Sequence, residues 1–312
     1  MKFLVFIQSL ESKINNNSLE SLCAAQKLAD KYNAEVHAVT FDKAVSENLS
    51  NYNISSTIYI NNNELNDYNP IYYSKCLEIL NNEINPDLLI FGHSYETRDW
   101  VPRLSARFEC PFISDCTNFD NDMSFIRPVY QAKLNEKIKL SGKGIISFQA
   151  GSFSKDDLVE GSSNIDEKTL NLSDVNLSIR PGERFKESAE GVDLSTAEVI
   201  VSVGRGISKE ENIPLAKELA KKLNAQIGAS RPVVDAGWLD HSFQIGSSGQ
   251  TVTPKLYLAL GVSGAIQHLV GMKGSKNIIA INKDPNAPIF EISDYAVIGD
   301  MFEILPKLTE QL

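Results

Sequence analysis

The sequence predicts an α/β protein of two domains, and three observations support this. Short apolar runs alternate with amphipathic helical patterns through both halves of the chain, which is typical of strands joined by helices into a parallel sheet. The length of 312 residues, 42% of them hydrophobic, suits two domains of ordinary size. A charged segment with Pro and Gly but no periodicity, residues 180–196, separates the halves. We therefore predict one domain over residues 1–190 and a second over residues 191–312.

In the first half the strand and helix patterns alternate from the first residues onward. The predicted elements are the strands KFLVFIQ and AEVHAVTF around the helix LESLCAAQKLADKYN, then the strand SSTIYI, a helix near residues 71–80, the strand DLLIFG and the helix WVPRLSARF. We expect Pro102 near the start of that last helix, where a missing N–H costs little. Residues 112–150 read as short strands, and a final strand is expected at residues 170–179. This half is predicted to be a nucleotide-hydrolase-like α/β domain with extra strands.

The second half repeats strand and helix several times. The elements are AEVIVSVG, IPLAKELAKKLN, AQIGA, LYLALG, a helix after Ser263, NIIAIN, DYAVIG and the closing helix MFEILPKLTEQL. Such units predict a doubly wound parallel sheet, in which ligands bind outside the carboxyl ends of the strands. Those ends carry a polar, glycine-rich rim made of residues 204–206, 230–231, 261–264, 282–284 and 299–300.

Residues 230–268 contain the most informative part of this rim. Arg231 precedes Pro232, so we expect it on an extended segment. Residues 244–249 form a loop whose two glycines allow a close approach to a ligand and whose two serines supply adaptable hydroxyls. Residues 261–268 follow a strand and begin a helix, so free N–H groups and the helix dipole favour an anion such as a pyrophosphate. The spacing is G-x-x-G, which does not match the G-x-G-x-x-G dinucleotide motif.

Composition excludes several classes of function. Thirty Lys and Arg against 40 Asp and Glu give a net charge of −10, and no basic block interleaved with aromatics predicts nucleic-acid binding. The start, MKFLVFIQ, does not resemble a secretory signal, and no apolar run reaches the length of a membrane span. We expect a soluble, cytoplasmic protein without membrane insertion. The four cysteines match no metal or redox spacing and are expected to be reduced thiols, and the scattered histidines predict neither a metal site nor a catalytic triad.

The second half resembles the α-subunit of electron transfer flavoproteins. The resemblance is carried by VSVGRGI, SRPVVDAGW, QIGSSGQTVTPKLYLALGVSGAIQHLVGM and IIAINKDPNAPIFEISDYAVIGDMFEILP, and more loosely in the first half by INPDLLIFGHS, RDWVPRLSARFECPFISDC and FIRPVY. It implies a heterodimer with a smaller β-subunit, for which the first domain would be the partner-binding scaffold. It also implies one FAD, held mainly by the second domain, which would be the FAD-binding domain.

The resemblance also implies a role for individual residues. Arg231 would lie over the isoalloxazine ring, the Ser248 hydroxyl would approach the flavin N5, and His268 would face the C2 carbonyl and N1 edge. Asn282 and Asp300 would hold the adenosine half, and the turn at residues 263–265 would take the pyrophosphate. The residues expected to contact FAD are Arg205, Ser230, Arg231, Gln244, Ile245, Gly246, Ser247, Ser248, Ser263, Gly264, Ala265, Ile266, Gln267, His268, Asn282, Asp300 and Met301. Residues 247–250 read Ser-Ser-Gly-Gln where the family often has Gln-Thr-Gly-Lys.

Three functions are compatible with these observations. The first is an electron carrier rather than an enzyme, taking electrons from a flavin dehydrogenase, such as an acyl-CoA dehydrogenase, to a downstream acceptor. The second is the α-subunit of an electron-bifurcating complex that uses NADH at a second FAD in the β-subunit. This sequence does not separate these two, because the deciding site lies on the partner. The third, a structural module that binds only AMP or CoA, is disfavoured by the number of flavin-type residues on the rim.

Overall fold

The computed structural model describes residues 1–130, 132–182, 194 and 196–312. The chain divides into two compact units, Met1–Arg184 (unit 1) and Phe185–Leu312 (unit 2). The boundary predicted between residues 190 and 191 lies outside the described residues, as does most of the connector. Each unit is an α/β domain built on a parallel sheet, which confirms the predicted fold class.

Unit 1 has a seven-stranded parallel sheet with two small antiparallel additions. Its strands are β1 (Lys2–Phe6), β2 (Ser9–Leu10), β3 (Lys13–Ile14), β4 (Glu35–Thr40), β5 (Ser56–Ile60), β6 (Leu88–Gly92), β7 (Phe112–Cys116), β8 (Asn118–Phe119), β9 (Ser124–Val129), β10 (Leu134–Lys139), β11 (Gly144–Phe148) and β12 (Asn164–Lys168). Its helices are α1 (Asn16–Tyr32), α2 (Lys43–Leu49), α3 (Pro70–Ile84) and α4 (Tyr95–Phe108). The main sheet has the order β12-β5-β4-β1-β6-β11-β7. Strands β4 and β5 are added on one side of β1 and β6 on the other, so the order of strand addition reverses between β1 and β6.

Helices cover both faces of this sheet, so its central strands are apolar on both sides. In β1, Phe3 and Val5 belong to the core beneath α1 and α2, whereas Leu4 and Phe6 belong to the core beneath α3 and α4. One face of α1 is buried against the sheet; its members include Leu22, Ala25, Leu28 and Ala29. The cysteines are free thiols, of which Cys110 is half-buried and the others are buried.

Two details of unit 1 differ from the sequence predictions. Pro102 lies seven residues after the first residue of α4 rather than near its start. The helix begins early because the Ser94 hydroxyl accepts a hydrogen bond from the Thr97 N–H at 3.1 Å, which caps it. Residues 170–179 form no strand. Their apolar side chains, including the buried Leu170 and Leu172, pack instead on the core beneath α3 and α4, and β12 takes the sheet edge beside β5.

Unit 2 has the doubly wound parallel sheet that the sequence predicts. Its strands are β13 (Val199–Val203), β14 (Gln226–Ala229), β15 (Leu256–Leu260), β16 (Ile278–Asn282) and β17 (Tyr295–Ile298), and its helices are α5 (Ile213–Lys222), α6 (Arg231–Asp235), α7 (Ile266–Leu269) and α8 (Met301–Gln311). The order is β14-β13-β15-β16-β17 with every pair parallel. Strand β14 is added on one side of β13 and β15 on the other, so the order of strand addition reverses between β13 and β15. In such sheets the ligand crevice lies outside the carboxyl ends of the strands at this switch point.

Helices α5, α6 and α8 cover one face of this sheet, with Leu219, Val233 and Leu305 in its core. The other face is covered mainly by loops, whose buried members include Ile245, Val262 and Ile289. The residues that approach the switch point therefore come largely from loops packed on a rigid sheet.

Candidate functional site

The residues predicted to form the site lie along one edge of the unit 2 sheet. Arg205 and Ser230 follow β13 and β14, the 261–268 segment follows β15, Asn282 ends β16, and Asp300 follows β17. The 244–248 segment joins the same edge, because Gln244 forms a parallel bridge with Ala229 at the end of β14. Since all five strands are parallel, their carboxyl ends meet at this edge and assemble the predicted rim.

At the switch point, the loops after β13 and β15 touch through their main chains. The Gly206 N–H donates to the Gly261 carbonyl at 3.1 Å, and a Cβ on Gly204 would lie 2.2 Å from that same oxygen. Gly261 itself has φ +62°, which favours glycine. The Met301 side chain packs beneath this contact and is 1% exposed, so Met301 has only its main chain at the rim.

The loop after β15 presents a run of free hydrogen-bond donors. None of the hydrogen bonds found between described residues uses the N–H groups of residues 262–267. The carbonyls of the same loop are held: Asn282 Nδ2 donates to Val262 O at 2.9 Å, and the Ile289 N–H donates to Ser263 O at 3.1 Å. Consecutive free N–H groups on a fixed loop form a concave site for an anion.

The helix dipole contributes little here, which corrects the sequence prediction. Helix α7 has only four residues, Ile266–Leu269, and the macrodipole requires a longer series of aligned peptides. The helix stops because the Ser247 N–H donates to the Gln267 carbonyl at 2.7 Å and so takes an acceptor that a continuing helix would use. The anion site therefore depends on the loop N–H groups.

The hydrogen bond from the Ser247 N–H to the Gln267 carbonyl is part of a set of main-chain contacts between residues 244–250 and 265–271, which we call the clasp. Beside it, the Val252 N–H donates to the Gly271 carbonyl at 2.8 Å, and the Ile245 N–H ties the loop to Ala229 O at 2.9 Å. The approach is so close that a Cβ on Gly271 would lie 2.4 Å from Gly246 N. The clasp buries Ile245 and Gly246, which leaves only their main-chain groups to face a ligand.

Two serines lie on the solvent-exposed side of the clasp. Ser247 and Ser248 are exposed, whereas Gln244 beneath them is 3% exposed. The Gln244 amide nitrogen donates to Ser248 O at 2.9 Å and to Ser248 Oγ at 3.1 Å. Gln244 therefore orients the Ser248 hydroxyl and leaves its proton free to donate to a ligand.

Arg231 is helical, contrary to the extended conformation expected from the following proline. Ser230 is the extended N-cap of α6, Arg231 is its first residue and Pro232 its second. Proline is tolerated in a first turn because its missing N–H has no helical partner there, and this outweighs the local restriction on the preceding residue. Arg231 Nε lies 3.3 Å from Asp235 Oδ2, with the two side chains 67% and 62% exposed.

Asp300 and Lys283 form a second polar group on the rim. The Asp300 carboxylate caps α8 by accepting from the Phe302 N–H at 2.9 Å, and Lys283 Nζ lies 3.3 Å from its other oxygen. The hydrogen bond from the main chain, helped by the lysine, lowers the pKa of Asp300. Arg205 is exposed on the turn after β13. The rim thus carries cations and N–H donors together with two carboxylates that already have partners, Asp300 facing Lys283 and Asp284 accepting from the Asn286 N–H.

His268 is buried with one ring nitrogen unpaired. Its Nε2 lies 2.8 Å from the hydroxyl of Tyr257, whereas Nδ1 has no hydrogen-bond partner among the described residues. Burial lowers the pKa of His268 to about 4, although the carbonyl of Ile245 opposes the shift. The imidazole is therefore neutral at ordinary pH.

Comparison with known proteins places this geometry in a family. Residues 3–178 match the family model described as the electron transfer flavoprotein domain, and residues 193–273 match the electron transfer flavoprotein FAD-binding domain. The chain is 37% identical over 321 residues to an electron transfer flavoprotein subunit alpha of Thermoanaerobacterium thermosaccharolyticum, covering 99% of this chain and 96% of that protein. The chain belongs to the electron transfer flavoprotein α-subunit family.

Other relatives match over the same length. The electron transfer flavoprotein subunit alpha of Bacillus subtilis is 36% identical, with 99% of this chain and 97% of that protein covered. A protein named acryloyl-CoA reductase electron transfer subunit beta, from Anaerotignum propionicum, is 33% identical, with 99% and 94% covered. Unit 2 therefore contains an FAD-binding domain, and the cofactor expected from the sequence is confirmed.

The donors on the rim of this α-subunit fit an FAD. The oxygens of a pyrophosphate are acceptors, which suits the free N–H groups of residues 262–267. The pyrimidine edge of a flavin carries carbonyl oxygens, which suit the unpaired Nδ1 of His268 if it carries a proton. An orphaned buried polar atom is costly, so a ligand that pairs with it would recover that cost.

The corresponding switch point of unit 1 is filled by its own side chains. When the Asn17 side-chain amide is oriented so that both its nitrogen and its oxygen have hydrogen-bond partners, the nitrogen donates to Phe148 O and the oxygen accepts from the His93 N–H. Gln8 accepts from Ser94 Oγ at 2.8 Å. His93 Nδ1 lies 2.8 Å from Ser147 Oγ.

Two residues of the site escaped sequence reasoning. Tyr257 lies within the apolar strand LYLAL, and no sequence periodicity links it to His268, eleven positions later. Asp235 lies four residues after Arg231, a spacing that indicates an ion pair only once the segment is known to be helical.

Proposed function

We propose that this chain is the FAD-holding subunit of a cytoplasmic heterodimeric electron carrier. Its partner would be an electron transfer flavoprotein β-subunit. The carrier would take electrons from a flavin dehydrogenase, such as an acyl-CoA dehydrogenase, and pass them to a downstream acceptor. The observation that carries the proposal is the rim of unit 2, where six free N–H groups and the unpaired nitrogen of His268 lie at the switch point of a parallel sheet.

The chemistry of the rim supports a carrier over a substrate-transforming enzyme. Bound FAD supplies the electron-transfer chemistry, and the protein sets its position, its potential and its access to partners. Several ionisable groups at the rim already have structural partners: Asp300 caps α8 and faces Lys283, and Arg231 faces Asp235. His268, with a pKa near 4, is a poor proton acceptor at neutral pH.

Within this proposal the rim residues divide by task. Residues 263–265 would take the pyrophosphate, and Asn282 would act there by holding the loop through the Val262 carbonyl. Arg231 would lie over the isoalloxazine ring, and the Ser248 hydroxyl, oriented by Gln244, would approach N5. Asp300 would serve the adenosine half from the first turn of α8.

The relatives' names support the heterodimer, because the proteins from T. thermosaccharolyticum and B. subtilis are named as subunits. Within the described residues, the structure contains no helix with the length and apolar character needed to cross a bilayer. The experiment is to co-express the chain with its β-subunit, purify the complex, and measure FAD and AMP per heterodimer.

One FAD and one AMP, with flavin reduction by an acyl-CoA dehydrogenase and its acyl-CoA, would support the carrier. Two FAD per heterodimer, with NADH as reductant, would replace it by the bifurcating complex. A folded, colourless heterodimer would contradict both and leave a module that binds only AMP or CoA.

A further inference from the structure

A buried tyrosine stands directly behind the histidine of the FAD-binding rim. Tyr257 is the second residue of β15 and is fully buried. Its hydroxyl oxygen is 2.8 Å from Nε2 of His268, and the two rings meet edge to face with centroids 6.2 Å apart. A buried phenol needs a hydrogen-bond partner, and His268 is the partner that this fold supplies.

The protonation states limit this contact to two arrangements. Burial raises the pKa of Tyr257, so the phenol keeps its proton. Burial lowers the pKa of His268, so the imidazole is neutral and has a single N–H. Either Tyr257 donates to a bare Nε2 and the imidazole proton lies on Nδ1, or Nε2–H donates to Tyr257 and Nδ1 is bare.

The surroundings of both rings favour the first arrangement. The carbonyl of Ile245 raises the pKa of His268, as a nearby acceptor facing an N–H does. It does not form a well-made hydrogen bond with Nδ1, and Nε2 is already paired with the tyrosine. On the other side, the Ser202 hydroxyl lowers the pKa of Tyr257, as a donor to the phenol oxygen does, although Ser202 Oγ makes no well-formed hydrogen bond. In the second arrangement the phenol proton would need Ser202 as its acceptor, in that poor geometry.

We infer that Tyr257 is a positioning residue that fixes His268 as the neutral tautomer with its proton on Nδ1. The inference rests on the proposed role of His268 at the flavin. Because Nδ1 is the nitrogen without a partner among the described residues, the tyrosine makes His268 a donor to the cofactor without giving it a full positive charge. Such a donor can form a hydrogen bond with a carbonyl oxygen or an unprotonated ring nitrogen of the flavin, but not with an N–H.

The test is the tautomer of His268 in the FAD-loaded heterodimer. The protein is labelled with ¹⁵N-histidine, long-range ¹H–¹⁵N correlation spectra are recorded at pH 7, and His268→Gln identifies the signals. We expect a protonated Nδ1 and a bare Nε2 in the parent protein. A proton on Nε2 would overturn the inference without any mutation being involved.

Tyr257→Phe keeps the ring and removes the hydroxyl. We expect its His268 signals to show exchange between both tautomers, and the dissociation constant of FAD to rise about fivefold, the equivalent of one ordinary hydrogen bond. The matched control is Tyr295→Phe, which removes the hydroxyl of an exposed tyrosine in the same unit and should change neither quantity. An unchanged tautomer in Tyr257→Phe would show that the tyrosine does not position the histidine.

Failure of the proposed function would be recognised separately. A heterodimer that contains no FAD would contradict the proposed function, whereas the ¹⁵N spectra of that same protein would still report which nitrogen of His268 carries the proton.

Discussion

Replacing Arg231 by alanine should lower the one-electron reduction potentials of the bound flavin, and replacing Asp235 by asparagine should raise them. A cation beside the ring stabilises the negative charge that arrives on reduction, so its loss makes reduction less favourable. Asp235 faces the same guanidinium at 3.3 Å and partly cancels its charge. The two substitutions should therefore act in opposite directions.

The exposure of the pair sets the scale of the effect. With side chains 67% and 62% exposed, the dielectric is close to that of water, where a cation at about 4 Å from a unit charge contributes about 1 kcal/mol. That energy corresponds to roughly 45 mV for one electron. If the cofactor and the partner subunit exclude water, an effective dielectric of about 20 raises the contribution to about 4 kcal/mol, or roughly 170 mV. Removing Asp235 should raise the potential by roughly 15–20 mV, the value of an exposed i,i+4 pair.

The assay is a potentiometric titration of the FAD-loaded heterodimer, followed by its visible spectrum. Arg231→Lys is the control, because it keeps a charge and loses the planar fork; its potentials should lie between those of the parent and of Arg231→Ala. All three variants should keep FAD. Potentials for Arg231→Ala within error of the parent, or a lowered potential for Asp235→Asn, would refute the electrostatic role of this arginine.

Three further changes test other parts of the molecule. Ser248→Ala should retain FAD and lower its potential by roughly 40 mV in the same titration, since it removes a hydrogen bond of about 1 kcal/mol that Gln244 orients; loss of FAD would contradict this. Gly264→Ala should abolish FAD retention on gel filtration, because the new Cβ would lie 2.1 Å from the main-chain nitrogen of Ile289. The control is Gly237→Ala, which is also at positive φ but has nothing within 4 Å of its Cβ and should retain FAD. Equal retention of FAD by the two variants would contradict this prediction. Burial raises the pKa of Glu20 from 4.5 to about 7, so the folded protein holds this proton more tightly than the unfolded chain, and the free energy of unfolding should fall by up to about 3 kcal/mol as pH rises from 4.5 through 7. Urea unfolding of Glu20→Gln at pH 5 and pH 8 should lack this fall, and an identical fall in both proteins would show that another group is responsible.

Much of the fold and the rim could be predicted because both depend on local patterns. Buried parallel strands are short apolar runs, and the polar, glycine-rich residues that follow them must meet at one edge of a parallel sheet. This is why residues as far apart in sequence as Arg205 and Asp300 could be assigned to one site. The resemblance to a family then supplied the identity of the ligand.

The predictions that failed concern choices decided by competing or distant interactions. The proline rules misplaced Pro102 and Arg231. The Ser94 side chain caps α4 well before Pro102, and Pro232 is tolerated in the first turn of α6, which lets Arg231 be helical. The length of α7 could not be read from its sequence, since the hydrogen bond that ends it comes from Ser247, about twenty residues earlier. The alternating apolar residues at 170–179 fit a strand equally well as a coil packed on helices.

The main-chain clasp between residues 244–250 and 265–271 bears on how such a site can diversify. Its hydrogen bonds run between N–H and carbonyl groups, so the geometry of the loop depends little on the side chains at positions 247 and 248. The Gln250 side chain is different, because it donates to Ser242 O at 2.5 Å and accepts from the Leu194 N–H at 2.8 Å. The two serines can therefore be exchanged while the scaffold stays fixed. The glycine after these positions does not share that freedom, because a Cβ on Gly249 would lie 2.3 Å from Gln244 O. Variation is thus confined to the exposed side chains at positions 247 and 248, which makes these two positions a natural target for directed evolution of the proposed cofactor environment.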